Sequence, residues 1–150
     1  MKSGISSLNP QIIFDGQCGD AIALYERILG AKAVRVVRYS EMPAGAPIPE
    51  DRRGWYAHAT LQVGGGVLMV SDDVFHGRQS PMPGHAEGRG TVHLEFADPA
   101  ELRKLFDALA AEGGHVIMKP HDTFWGAVYG ALVDKFGVGW DFHHEQKKES

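Results

Sequence analysis

A single cysteine, Cys18, is all the thiol chemistry in this chain. It excludes an internal disulfide. With no second Cys or His beside it at a recognisable metal spacing, Cys18 is expected to be a packed or N-terminal helix residue in a reducing compartment. Long apolar runs are also missing. Nothing approaches the roughly 20 residues that span a bilayer. The opening M-K-S-G-I-S-S-L-N-P has no apolar stretch ahead of a small-residue cleavage site, so the expectation is a cytoplasmic protein with no membrane partner. Basic clusters are scarce as well. The net charge is −4 and the lysines and arginines are scattered singly, which leaves no stripe for a phosphate backbone and excludes nucleic acid as an expected partner. The one charge-dense segment, Glu145 to Ser150, reads as a solvated tail.

What is present is enough apolar material, 43% of 150 residues, for one ordinary core or two small modules sharing one. An apolar run from Leu8 to Phe14 contains Pro10, which suits only a strand start or edge. From Cys18 to Leu29, Ala21, Ile22, Leu24, Tyr25, Ile28 and Leu29 recur at helical spacing, with Gly30 placed to end the helix. Ala33 to Tyr39 reads as a strand. In Trp55 to Val63, Tyr56, His58, Thr60 and Gln62 alternate with Ala57, Ala59, Leu61 and Val63, and Gly64-Gly65-Gly66 turns the chain into Val67 to Ser71. Asp72-Asp73 after it reads as turn chemistry.

After a Gly- and Pro-rich loop from Phe75 to Gly90, the order repeats. Thr91, His93 and Glu95 alternate with Val92, Leu94 and Phe96. Ala100 to Glu112 is helical, opened by Asp98-Pro99 and closed by Gly113-Gly114. His115 to Met118, Ala127 to Val133 and Gly137 to His143 supply three more strands. An offset of 82 residues carries Phe14 onto Phe96, and one of 72 carries Gly65 to Met69 onto Gly137 to Asp141. Each half is therefore strand, helix, strand, strand, strand. Two such sheets, each with a helix on one face, leave two free faces that make a cup when set side by side. The fold class expected is α+β: two paired βαβββ modules, about 8–72 and 91–144, forming an open, cup-shaped mixed sheet with the helices outside.

The chemistry-bearing residues sit on the polar faces of these strands. In the last strand Val138, Trp140 and Phe142 point one way, Asp141 and His143 the other. His93 and Glu95, two apart, suit a base and its orienting carboxylate; Phe124, Trp125 and Tyr129 offer aromatic area for a flat ligand. The plainer reading makes these residues surface polarity, structural histidines and core packing. His76, His85, His115 and His121 lie in loops or at strand ends and read as solvated. The glycines at 64–66 and 137–139 lack a strand-loop-helix context, so no nucleotide is expected.

Four segments carry a resemblance: F-D-G-Q-C-G-D-A-I-A-L-Y-E-R-I-L-G (Phe14 to Gly30), H-A-T-L-Q-V-G-G-G-V-L-M-V-S-D (His58 to Asp72), D-T-F-W-G-A-V-Y-G (Asp122 to Gly130) and D-K-F-G-V-G-W (Asp134 to Trp140). Over Leu8 to Phe142 the chain resembles the vicinal-oxygen-chelate superfamily of glyoxalase I, bleomycin-resistance proteins and extradiol dioxygenases, and more closely its PhnB-like, 3-demethylubiquinone methyltransferase-like branch. The resemblance implies a homodimer that binds a small molecule in the sheet cup. It implies a lyase or isomerase acting on neighbouring oxygens, metal-assisted in many relatives, or else a protein that sequesters an antibiotic or metabolite. It also implies metal ligands near Pro10, Met69, Thr91 and Asp141, of which only Asp141 is a strong donor for a divalent ion. A rearranged site from His58, His93 and Asp141, joined by Glu95 or His143, is chemically reasonable because imidazole and carboxylate suit zinc, nickel, manganese or iron. The substrate pocket expected is His58, His93, Glu95, Phe124, Trp125, Asp141 and His143.

Overall fold

The computed structural model describes residues 4–74 and 90–146. The chain divides into two compact units, Met1–Ser80 and Pro81–Ser150. His76, His85, most of the loop from Phe75 and the end of the charged tail lie outside the described residues.

The first unit contains strand β1 (Gln11–Phe14), helix α1 (Cys18–Leu29), and strands β2 (Lys32–Arg38), β3 (Tyr56–Val63) and β4 (Gly66–Asp72). They form a four-stranded sheet in the order β1-β4-β3-β2, with β1 parallel to β4 and the other pairs antiparallel. The helix forms where periodicity places it. Cys18, Ala21, Ile22, Leu24, Tyr25 and Ile28 are buried, and Gly30 ends it in the left-handed region at φ 68°, a conformation glycine adopts without a Cβ clash. Ala59, Leu61, Leu68 and Val70 supply the sheet's share of that core.

The first strand starts later than its apolar run suggests. Pro10 stays outside the ladder, although its carbonyl accepts the Met69 N–H at 2.9 Å, and Leu8 is exposed. The second strand stops at Arg38, because Tyr39 enters a 3-10 turn and its buried hydroxyl donates to the Asp72 carbonyl at 2.6 Å. Asp72 is not a turn residue. Its carboxylate is buried and accepts from the N–H groups of Gly16, Cys18 and Tyr56 at 2.8, 3.0 and 3.1 Å. It thereby caps α1 from a neighbouring strand, since Gln17 makes no side-chain cap. Burial, aided by the Asp72 charge, pushes the Cys18 thiol up to about 12, so it carries no thiolate at neutral pH.

The second unit repeats the arrangement with β5 (Val92–Glu95), α2 (Pro99–Ala111), β6 (His115–Asp122), β7 (Ala127–Val133) and β8 (Gly139–Glu145). Its order, β5-β8-β7-β6, again has the outer first strand parallel to the last. Asp98 caps α2 by accepting the Ala100 N–H at 2.9 Å. Leu102, Phe106 and Leu109 of α2 and Val128, Leu132, Trp140 and Phe142 of the sheet are all nearly fully buried; each such side chain contributes about 1.5–3 kcal/mol by leaving water. Strand β6 runs four residues past Met118, accommodated by two register shifts. The last strand begins at Gly139 rather than Gly137, because Asp134 organises the five residues before it into a closed loop.

Candidate functional site

Alternation along β8 decides where the chemistry lies. Trp140 and Phe142 go to the α2 side, where Phe142 meets the edge of Phe106 at 5.2 Å between ring centroids. Asp141 and His143 therefore project from the opposite face, away from α2. The parallel register sets Glu95 beside His143 and His93 beside Asp141, while on the other flank Tyr129 and Ala131 of β7 pair with His143 and Asp141. One row across the sheet thus reads Glu95, His143, Tyr129, with His121 of β6 paired to Tyr129.

Glu95 is the hub. Its Oε2 lies 2.9 Å from His93 Nε2 and 2.8 Å from His143 Nδ1, and its Oε1 is 3.0 Å from that same Nδ1 and accepts the Glu145 N–H at 3.1 Å. The two imidazoles lie side by side, tilted at 43° with centroids 5.4 Å apart. His93 and Glu95 are about half exposed, whereas the His143 side chain is 19% exposed. Partial burial disfavours the Glu95 carboxylate, but the hydrogen bonds from His93 and His143, the His143 charge and the Glu145 N–H outweigh it and hold the carboxyl below its ordinary value of 4.5. A depressed folded-state value stabilises the protein above the unfolded carboxyl's titration range, and that stability is lost as pH falls through the lower folded value. Urea unfolding between neutral pH and pH ~3 is expected to show a smaller acid loss in Glu95→Gln. The difference should stay below about 1 kcal/mol because the group is half exposed.

Beside this cluster Asp141 accepts two hydroxyls, Thr91 Oγ1 on Oδ2 and Tyr129 OH on Oδ1, each at 3.0 Å. Burial first, and then the bond to and charge of Asp141, raise the Tyr129 phenol above its ordinary 10.0, so it remains a proton donor at neutral pH. The His121 ring stands edge-on to Tyr129 at 6.2 Å and its Nδ1 lies 2.9 Å from the Lys119 carbonyl.

His93, Glu95 and His143 come together, and Asp141 flanks them with its oxygens engaged. His58 belongs to β3 of the first unit, where its Nε2 lies 3.1 Å from Thr60 Oγ1. Phe124 and Trp125 occupy the β6–β7 turn, 97% and 54% exposed, and touch edge to face at 4.9 Å. That turn closes the end of the sheet where Ala127 pairs with Glu145. A groove of about 580 Å³ lies on the α2 side, between α2 and β6, lined by residues including Arg103, Phe106, Val116 and Pro120; it contains none of the predicted site residues. Sequence reading missed the Tyr129–Asp141 bond, although an aromatic and a carboxylate on adjacent strands of a hairpin were available to suggest it.

The internal repeat supplies a comparison within the molecule. At the positions of His93, Glu95, Asp141 and His143, the first sheet holds Gln11, Ile13, Met69 and Ser71, paired in the same parallel register. There Gln11 Nε2 donates to Ser71 Oγ at 3.1 Å and Ile13 is exposed. The fold forms without the ionisable cluster.

Residues 7–142 match the profile described as the glyoxalase/bleomycin resistance protein/dioxygenase superfamily. The chain belongs to this superfamily. It is 33% identical over 144 residues to protein YjdN of Escherichia coli, covering 89% of this chain and 91% of that one. Protein PA1353 from Pseudomonas aeruginosa, whose crystal structure is known, is 34% identical with a TM-score of 0.72, covering 94% of this chain and all of that one. A Bacillus cereus protein described as a putative 3-demethylubiquinone-9 3-methyltransferase, PhnB protein, shares the fold with a TM-score of 0.71 at 20% identity, over 93% and 99% of the two chains. Of the four ligand positions that the resemblance implies, Asp141 alone offers a carboxylate. Pro10 has no side-chain donor, Met69 offers a thioether, and the Thr91 hydroxyl is spent on Asp141.

Proposed function

We propose that the face of the second sheet away from α2 binds a small molecule with oxygens on neighbouring carbons and moves a proton on it, as a lyase or isomerase does. The observation that carries this reading is the hydrogen-bonded cluster His93–Glu95–His143, which the fold does not need, since Gln11, Ile13 and Ser71 fill its places in the first sheet. Side chains that a scaffold can do without, grouped on one face, point to a site. The cluster supplies polar anchors for the ligand's oxygens. Asp141 takes the proton from the adjoining carbon, held in place by the Thr91 and Tyr129 hydroxyls. Tyr129 keeps its own proton and donates to the carboxylate. The homodimer implied by the resemblance and the cytoplasmic setting expected from the sequence belong to this proposal.

Hydroxyacetone, with a hydroxyl and a carbonyl on adjacent carbons, is a suitable probe. In deuterium oxide the protein should catalyse exchange of the hydrogens on the carbon between those groups, and Asp141→Asn should slow it by about 10²-fold or more. Binding detected by NMR with no exchange would replace this reading with the sequestering one. Neither binding nor exchange, across probes of this class, would reject both.

A further inference from the structure

We infer that the groove between α2 and β6 is a second ligand site and that it takes a medium-chain aliphatic carboxylate. It lies on the α2 side of the sheet, away from Asp141, and is separate from the site proposed for proton transfer. The helix explains why the groove exists. Along α2, Arg103, Phe106, Asp107, Ala110 and Ala111 recur at intervals that place them on one flank. The offset of 82 residues that carries Phe14 onto Phe96 puts Ala21, Leu24, Tyr25, Ile28 and Leu29 at the matching places of α1. Tyr25 and Ile28 are buried in the core of the first unit. In α2 their places hold Asp107 and Ala110, and a groove of about 580 Å³ stays open beside them, a volume in the range of small-molecule sites. The sheet opens the same space. Gly130, paired with Phe142, stands where Ala59 pairs with Val70 in the first sheet. A Cβ on Gly130 would lie 3.1 Å from both Phe106 and Pro120, so its absence lets those two rings settle on β7 as part of the groove's lining.

Charge selects the ligand. The charged lining is Arg103 and Lys119 against the single carboxylate of Asp107, which leaves one positive charge for a ligand to neutralise. Arg103 reaches Asp122 at the end of β6 across a loose 3.9 Å, and that aspartate side chain is 78% exposed. The guanidinium is therefore available to a carboxylate in planar, two-bond geometry. The same contact orients the groove. Arg103 and the late β6 residues Lys119 and Pro120 lie toward one end, while Ala111, at the helix end, and Val116, near the start of β6, lie toward the other. The lining is thus cationic at one end and apolar at the other. From Arg103 to Ala111 the helix advances about 12 Å at 1.5 Å per residue, a length that suits an extended alkyl chain laid along the alanines with its carboxylate between Arg103 and Lys119.

The test titrates sodium octanoate, with octan-1-ol as the uncharged control, into isotope-labelled full-length protein followed by NMR. Octanoate should bind saturably at one equivalent and shift the amides of Ala110, Ala111 and Val116, and octan-1-ol should bind about tenfold more weakly or less. Ala110→Ile, which installs the residue of α1, should abolish binding while leaving hydroxyacetone exchange unchanged. Arg103→Ala and Lys119→Ala should each weaken octanoate by about fivefold or more. Circular dichroism melts check folding, and the two surface changes keep the test open should Ala110→Ile melt early. A wild-type protein that binds no octanoate overturns the inference, as does full affinity in Ala110→Ile or equal affinity for octanoate and octan-1-ol. Shifts of the same amides that follow protein concentration without any ligand would assign the groove to a second copy of the chain and overturn it as well.

Discussion

Asp134→Ala is expected to destabilise the protein by about 3–5 kcal/mol, read as a fall in the urea midpoint at unchanged slope. Asp134 is only 4% exposed. Its Oδ1 accepts the Phe136 and Val138 N–H groups at 2.9 and 3.0 Å, and its Oδ2 accepts the indole N–H of Trp140 at 2.9 Å. Each of these charge-assisted bonds is worth about 1.5–3 kcal/mol, and burying a donor without its acceptor costs about 1–3 kcal/mol. The three do not add fully, because the loop relaxes as a unit. Asp134→Asn should cost less, since an amide oxygen can still serve the two backbone donors while its NH₂ faces the indole donor. Trp140→Phe in the Asp134→Ala background should show coupling of 0.5 kcal/mol or more against the two single changes. A loss below about 1 kcal/mol in Asp134→Ala would refute the structural role given to this carboxylate. The segment that most distinguishes the chain, D-K-F-G-V-G-W, is on this account a loop lock. Asp72 does the same for the first unit by joining β4 to the start of α1 and to β3.

The second large effect concerns Glu95. Glu95→Ala removes the shared partner of two imidazoles and the acceptor of the Glu145 N–H, so both rings lose the orientation that makes them one anchor. Losing an interaction of about 2–3 kcal/mol from a binding site weakens affinity by roughly 100-fold. Stability should change by less than about 1 kcal/mol, because His93 and Glu95 are half exposed and the first sheet dispenses with the cluster. A large effect on binding with a small one on stability marks a site rather than a scaffold.

Much of this architecture was legible in the amino-acid order because it is local. Alternation sent Trp140 and Phe142 one way and Asp141 and His143 the other, and the structure keeps that division. Helix spacing, Asp98 and Gly30 located both helices. The remainder depends on contacts between distant residues. Glu95 meets His143 across 48 positions and Asp72 caps a helix start 54 positions away. Those meetings follow from parallel register, which is set by the crossover and loops rather than by any short motif. A carboxylate after a strand looks like a turn residue unless its distant donors are known. Phe124 and Trp125 invited a stacking role, and the turn that holds them at the end of the sheet follows from Thr123, whose N–H and hydroxyl bond the Ala127 carbonyl at 2.8 and 3.2 Å.

The central claim is that the site proposed on the second sheet depends on Glu95 and its partners, whereas Gln11 on the first sheet carries no comparable ionisable cluster. The most direct measurement is an NMR titration of hydroxyacetone into the wild-type protein, Glu95→Ala and the first-sheet counterpart Gln11→Ala. The account predicts affinity about 100-fold weaker in Glu95→Ala and unchanged within about twofold in Gln11→Ala. Equal affinity in wild type and Glu95→Ala, or a loss confined to Gln11→Ala, would contradict it.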